Sequence, residues 1–211
     1  RLQAQPDLPG VACVIFDEFH ERRRDSDVAL ALLREARELL RPDLRVLLMS
    51  ATLQLGDLSR QLGGARTLRS DGRAFPVDTL HCPRRHQEPL EQHVFRALET
   101  ELPYLENERL ISPHPPVVLV FLPGIKEIER CLRQIRSSNR LKTWETVPLH
   151  GLLSLNQQAY ALQPCNHEWD GRVVLATSIA ESSLTLDGVR LVIDAGLSRH
   201  TRFDPGTGME G

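Results

Sequence analysis

The chain has 211 residues, of which 41% are hydrophobic and 26% charged, with a net charge of −2 at neutral pH. These values suit one large or two small globular domains and exclude low-complexity disorder. The near-neutral balance leaves no global basic field, so any nucleic-acid surface must be local.

The longest uninterrupted apolar run, Val117 to Leu122, is far short of the roughly 20 residues that cross a bilayer, so no membrane partner is expected. No signal peptide is visible, and the opening RLQAQPDLPG lacks a methionine, which reads as a fragment. Cys13, Cys82, Cys131 and Cys165 form no C-x-x-C pair and read as the reduced thiols of a cytoplasmic protein.

Short apolar runs alternate with helix-length amphipathic stretches. Val11 to Phe16 reads as a strand. Ser26 to Leu40, with Val28, Leu32, Ala36 and Leu39 on one stripe and Asp25 and Asp27 near its start, reads as a helix. Leu44 to Met49 is a second strand, followed by a short helix over Leu55 to Leu62 that Gly63 and Gly64 end, and a weak strand near Thr67. Residues 75 to 89, FPVDTLHCPRRHQEP, carry three prolines and little periodicity, so the domain boundary falls there: 1–78, a linker at 79–89, and 90–211. Beyond it come a helix over Leu90 to Glu101, a strand at Val117 to Leu122, a helix over Ile125 to Arg136, a strand near Val147 and a helix around Gln157. A strand at Val173 to Ala176, a short helix at Ala180 and a strand at Val189 to Asp194 complete the order. Strands that read as continuous apolar runs imply burial on both faces, hence an α/β fold with mainly parallel sheets flanked by helices. Ligands of such sheets bind beyond the carboxyl ends of the strands, where Asp17, Ser50, Gly124 and Thr177 fall.

Two constellations could carry chemistry. In VIFDEFHER, Asp17, Glu18, His20 and Glu21 crowd the end of an apolar run. Asp17 there could hold Mg²⁺ through its water shell, and Glu18 could take a proton from an attacking water. A polar strand end with incidental charges is the plainer alternative. In LLMSATL, a second buried run ends in Ser50, Ala51 and Thr52, and the hydroxyls of Ser50 and Thr52 could reach back to the acidic strand end or simply cap a helix.

These two motifs, in this order, resemble motifs II and III of the superfamily 2 helicases, in the DEAH-box branch. The resemblance runs on through VVLVFLPGIKEIE (117–129) as motif IV, LHGLLSLNQQ (149–158) as the segment L-Y-G-x-L, RVVLATSIAESSLTLDGVRLVIDAGL (172–197) as motif V and its following strand, and RFDPGTGM (202–209) as a hairpin. Phe19, PDLPG and FLPG look most like the bacterial HrpB group. The resemblance implies two partial RecA-like domains of an ATP-dependent RNA or DNA helicase acting on single strands. It further implies that Asp17 positions Mg²⁺ on ATP, Glu18 activates water, His20 couples the nucleotide to the opposite domain, and Ser50, Ala51 and Thr52 transmit nucleotide state. Thr177 and Ser178 match backbone-binding positions, Ser183 a γ-phosphate sensor, and Thr185, Asp187 and Gly188 nucleotide contacts.

Three departures stand out. Ser178 replaces an asparagine, Leu162 falls where relatives place a phenylalanine that stacks on adenine, and neither a G-x-x-x-x-G-K-[ST] phosphate loop nor a Q-R-x-G-R motif occurs. The last of these predicts that these residues alone hydrolyse no ATP. A degenerate helicase-fold binding or scaffold protein without catalysis stays open as the alternative.

Overall fold

A computed structural model of the chain describes residues 4–50, 58–60, 62–70, 76–180 and 185–199, together with the backbone of 203–204 and 209–210. Its packing divides into two units, Arg1–Val77 and Asp78–Gly211.

In the first unit β1 (Cys13–Phe16) pairs in parallel with β2 (Arg45–Leu48), with Cys13 opposite Arg45 and Phe16 opposite Leu48. Helix α1 (Arg24–Leu39) connects them and buries Leu30, Leu33 and Ala36, positions spaced three apart on one face. Asp25 and Asp27 in its first turn and Arg37 in its last complement the helix dipole. Arg41 then ties the unit together: its guanidinium donates to the carbonyls of Asp7, Leu8 and Val11 and makes paired hydrogen bonds of 2.8 Å to Asp43. A cavity of about 440 Å³ opens beside β2, lined by Leu30, Val46, Leu48, Leu58 and Arg34 among others.

The second unit is built on a four-stranded parallel sheet of order β4-β5-β3-β6: β3 (Val117–Phe121), β4 (Trp144–Leu149), β5 (Gly171–Ala176) and β6 (Val189–Asp194). Helices α2 (Leu90–Ile111) and α3 (Ile125–Arg136) cover one face, packing Leu98, Leu102, Ile128 and Ile135 on Val118, Val120, Val173 and Leu175. Helix α4 (Leu155–Leu162) covers the other, where Ala161 meets Val147, Leu149, Val174 and Ala176. Alternate strand residues thus feed two separate clusters, as the pleat requires. Ser154 starts α4 with a capping box: its hydroxyl accepts from the Gln157 amide, and the Gln157 side chain accepts from the Ser154 amide. Beyond β6, the residue pairs Phe203–Asp204 (β7) and Met209–Glu210 (β8) form an antiparallel ladder.

Three readings of the sequence need correction. Burial on both faces holds for β3, β4 and β5, but β1 and β2 alternate between exposed and half-buried, as does the sheet-edge strand β6. Among the described residues α1 is the helix whose side chains join the cluster on the small sheet, and one covering layer shields every second strand residue in part. Helix α2 runs ten residues past Glu101, through Pro103. Proline removes one intrahelical donor, but Leu102 and Leu105, both fully buried, bind the turns on either side to the core. Around Thr67 the described backbone is irregular rather than a strand, and of the short helix expected over residues 55–62 only 58–60 is described as helical.

Candidate nucleotide and nucleic-acid sites

The acidic cluster sits at the carboxyl end of β1, and its backbone is unusual. Residues Phe19–Glu21 form one 3₁₀ turn bracketed by two left-handed residues, Glu18 (φ 49°, ψ 38°) and Arg22 (φ 50°, ψ 44°). A non-glycine residue held left-handed costs about 1–2 kcal/mol, so the turn must be anchored elsewhere. Phe19 is the anchor. Its ring is buried edge-on against Phe16, the Arg22 guanidinium lies 5.7 Å above its centroid, and its amide donates to the Met49 carbonyl at 3.0 Å. Met49 in turn donates to the Phe16 carbonyl at 2.8 Å. The end of β1 and the residue preceding Ser50 are therefore stitched by two backbone hydrogen bonds, which brings Ser50 close to the DEFH turn.

With Phe19 turned inward, its neighbours turn outward. The Asp17 carboxylate is exposed, one oxygen accepting the Glu18 amide at 2.8 Å. His20 Nδ1 lies 3.3 Å from Glu18 Oε2 without hydrogen-bond geometry, and this buried nitrogen has no hydrogen-bond partner. Among the described residues no three His, Cys, Asp or Glu side chains gather at metal-binding separation. A lone exposed carboxylate at a strand end fits Mg²⁺ held through waters and substrate phosphates, the mode that ion prefers, and does not fit a protein cage. Ser50 is half-buried at the end of β2; Ala51 and Thr52 lie outside the described residues.

In the second unit the expected residues separate into two groups. Thr177 directly follows β5, its amide donating to the Leu149 carbonyl at 3.1 Å and its carbonyl accepting from Ala180, which closes the 3₁₀ turn Ser178–Ala180. Thr177 is half-buried and Ser178 exposed. Gly124 at the start of α3 and His150 after β4 lie on the same carboxyl edge. The Gly124 Cα has no room for a side chain without shifts, since an added carbon would meet Glu127 Oε2 at 3.0 Å and Arg199 Nε at 3.3 Å. Thr185, Asp187 and Gly188 instead precede β6 at the amino edge, where the Gly188 carbonyl accepts from the Val117 amide at 2.9 Å. Gly188 has φ +77°, a left-handed conformation natural to glycine. A six-residue strand separates the two groups by about 20 Å. Ser183 lies outside the described residues.

The comparisons with known proteins bear on the family. The helicase conserved C-terminal domain matches residues 101–205. The chain is 41% identical over 209 residues to the ATP-dependent RNA helicase HrpB of Escherichia coli K12, covering 99% of this chain and 24% of that protein. It is 34% identical over 202 residues to the chloroplastic ATP-dependent RNA helicase DEAH11 of Arabidopsis thaliana, covering 96% of this chain and 11% of that protein. The crystal structure of the E. coli DEAH/RHA helicase HrpB superposes with a TM-score of 0.82 at 40% identity, covering 99% of this chain and 25% of that chain. Over nearly its whole length the chain is similar to DEAH-box helicases. It spans about a quarter of the length of its HrpB relative.

Within this segment, sequence reading overlooked a buried ion pair. Arg172, 2% exposed near the start of β5, donates from Nε to Glu145 Oε2 at 2.6 Å. Its Nη1 donates to the carbonyls of Tyr160 and Gln163, and the Tyr160 hydroxyl donates to the other Glu145 oxygen. A charged residue opening the apolar run RVVLA, and a glutamate inside WETVPL, were the available signals. Their pairing needs the parallel register that sets Glu145 opposite Arg172.

Proposed function

We propose that this chain is the part of an ATP-dependent RNA helicase that carries the hydrolytic carboxylates and one single-strand contact edge. The observation that carries the reading is the Asp17–Glu18–His20 turn, presented outward from a parallel strand end and locked to the end of β2 through Phe19 and Met49. Asp17 would hold Mg²⁺ through water, and the ion supplies charge neutralisation at the phosphates when bound. Glu18 would accept the proton of the attacking water, its left-handed backbone aiming the carboxylate away from the core. His20, with an unpartnered ring nitrogen beside Glu18, would connect the nucleotide to the facing domain. Ser50, which follows the Met49 bonded to the acidic turn, would pass the nucleotide state onward together with Ala51 and Thr52.

In the second unit Thr177 and Ser178 would bind the sugar-phosphate backbone of single-stranded RNA or DNA. Short hydroxyls and turn amides suit phosphate oxygens and do not read bases. Ser183, Thr185, Asp187 and Gly188 would contact ATP. Two RecA-like domains divided near residue 78 and a cytoplasmic location complete the reading; among the described residues no helix is long and apolar enough to cross a membrane.

The test is RNA-stimulated ATP hydrolysis by the full-length protein and its Glu18→Gln variant. Loss of a general base lowers turnover by about 10²-fold or more, with ATP binding retained. A full-length protein that binds RNA but hydrolyses no nucleotide would support the scaffold alternative instead.

A further inference from the structure

The carboxyl edge of the second sheet holds one polar side chain that the proposed function leaves idle. We propose that His150 is a further single-strand contact, its imidazole donating a hydrogen bond to a phosphate oxygen next to the phosphate held at Thr177. This role rests on the backbone contacts proposed for Thr177 and Ser178 and adds a second loop to them.

The sheet register sets the two residues side by side. Leu149 stands opposite Ala176 in the β4–β5 pair, and the Thr177 amide donates to the Leu149 carbonyl at 3.1 Å. His150 and Thr177, the next residues of the two chains, therefore leave the edge at the same level, about 5 Å apart by the spacing of paired strands. On the other side of β5, Phe121 is opposite Ala176 and the Leu122 amide donates to the Ala176 carbonyl at 2.8 Å, so the turn leading to Gly124 also leaves beside Thr177. Three loops thus emerge in a row across the strands, with Thr177 in the middle. The turn after β4 lies against the turn after β5: a carbon added at Gly151 would stand 4.0 Å from Ile179 Cδ1.

Among the described residues nothing pairs with the His150 ring. It is half-buried, its Nδ1 is sealed from solvent without a hydrogen-bond partner, and the ring makes no other hydrogen bond or ion pair. A buried polar atom left unpaired costs about 1–3 kcal/mol, and an apolar side chain would fill the same place without that cost. A neutral imidazole carries its proton on one nitrogen; with Nδ1 sealed, Nε2 is the nitrogen left to donate. A phosphate oxygen is a charged acceptor, which makes such a bond one of the stronger kind. The loop is already held in shape. The Leu153 amide donates to the His150 carbonyl at 3.1 Å, the Gln158 side chain donates to the Leu153 carbonyl at 2.8 Å, and the Ser154 capping box fixes the start of α4. Arg199, which lies against Gly124, is by contrast paired with Glu127 at 3.1 Å.

The experiment measures Kd of the full-length protein for single-stranded RNA of several sequences, with His150→Phe, His150→Gln and Thr177→Ala. The titrations are repeated on oligonucleotides in which one phosphate at a time is replaced by a neutral methylphosphonate. His150→Phe keeps a ring and removes both nitrogens, and should raise Kd by about tenfold, equally for all sequences. His150→Gln keeps a side-chain N–H and should recover part of the loss. One methylphosphonate position should weaken binding by the wild-type protein and have no further effect in His150→Phe, a coupling that a merely structural role would not produce. His150→Leu takes the place of His150→Phe if the latter does not fold. Unchanged Kd in His150→Phe beside a weakened Thr177→Ala overturns the inference and leaves the edge reading standing; so does a loss without that coupling, or one confined to a single sequence. Unchanged Kd in both His150→Phe and Thr177→Ala overturns both.

Discussion

The parallel sheets of the two units begin from similar apolar runs and end in different states. CVIF and RVLL in the first leave Ile15 57% and Leu47 45% exposed, whereas VVLV and VVLA in the second are wholly buried. Composition does not separate them; the number of covering layers does. Among the described residues α1 covers one face of the first sheet and half of each strand faces away from it, while α2, α3 and α4 sandwich the second sheet. The carboxylates proposed to act in hydrolysis stand on the thinner of the two scaffolds, held by one buried aromatic ring and two backbone hydrogen bonds.

Core truncation gives the largest contrast. Leu98, fully buried on α2 among Val118, Val120 and Ile128, should cost about 2–5 kcal/mol when cut to alanine. Ile15→Thr on the open face of β1 should stay within about 0.5 kcal/mol. Urea unfolding followed by amide exchange resolves the two units, and an Ile15→Thr loss as large as that of Leu98→Ala would mean the face is covered in solution.

A smaller effect is expected at the carboxyl edge. Thr177→Ala removes one hydroxyl contact, worth about 0.5–1.5 kcal/mol, and should weaken binding by the full-length protein equally for oligonucleotides of different sequence. A loss confined to one sequence would assign Thr177 to base reading and break the proposed division between hydrolysis in the first unit and backbone binding in the second.

Periodicity alone yielded the bounds of α3 and β6 to the residue, because an amphipathic stripe starting after Pro123-Gly124 and a run ending at Asp194 carry their own stops. It stopped α2 short because Pro103 reads locally as a breaker, while the burial of Leu102 and Leu105 that overrides it is a tertiary fact. The acidic turn was legible as residues and not as geometry. That Glu18 would be left-handed depends on Phe19 being buried against Phe16 with its amide bonded to the Met49 carbonyl, and no local pattern encodes that. The buried ion pair of Arg172 was invisible for the same reason: the partners of Arg172 are 9 to 27 residues away along the chain, and Glu145 is opposite it only in the folded register.

Lowering the pH should act on the second unit first. Where the chain enters α2, Glu88 takes two 2.9 Å hydrogen bonds from the Arg96 guanidinium and a third from the Arg85 amide, with its side chain 8% exposed. The Arg96 bonds, then the Arg85 amide, hold its carboxyl down from 4.5 to about 2. A depressed carboxylate contributes stability that is complete above the unfolded value and is lost as pH falls toward the folded one. The urea midpoint of the second unit should therefore drop between pH 4.5 and 2, and Glu88→Gln should flatten that part of the profile. An identical profile in the variant would leave this ion pair without a role.

The gentlest test removes no atom. Cys13 stands on the outward face of β1 beside Ile15, and Cys131 is buried in α3 under the second sheet. Burial pushes the Cys131 thiol up to about 12, with Glu91 and Glu127 adding to the effect. At pH 8 only about one molecule in 10⁴ carries its thiolate, against a substantial fraction for an ordinary exposed thiol, and the thiolate is the species that alkylates. Cys13, which is exposed, should react with iodoacetamide in the native protein. Cys131 should wait for the second unit to open, so its labelling should accelerate in Leu98→Ala and be unchanged in Ile15→Thr. Peptide mapping of the alkylated protein gives both rates in one sample. Equal, slow labelling of Cys13 and Cys131 would show the outward face of β1 to be as well covered as the core of the second unit, and the contrast between the two sheets would fail.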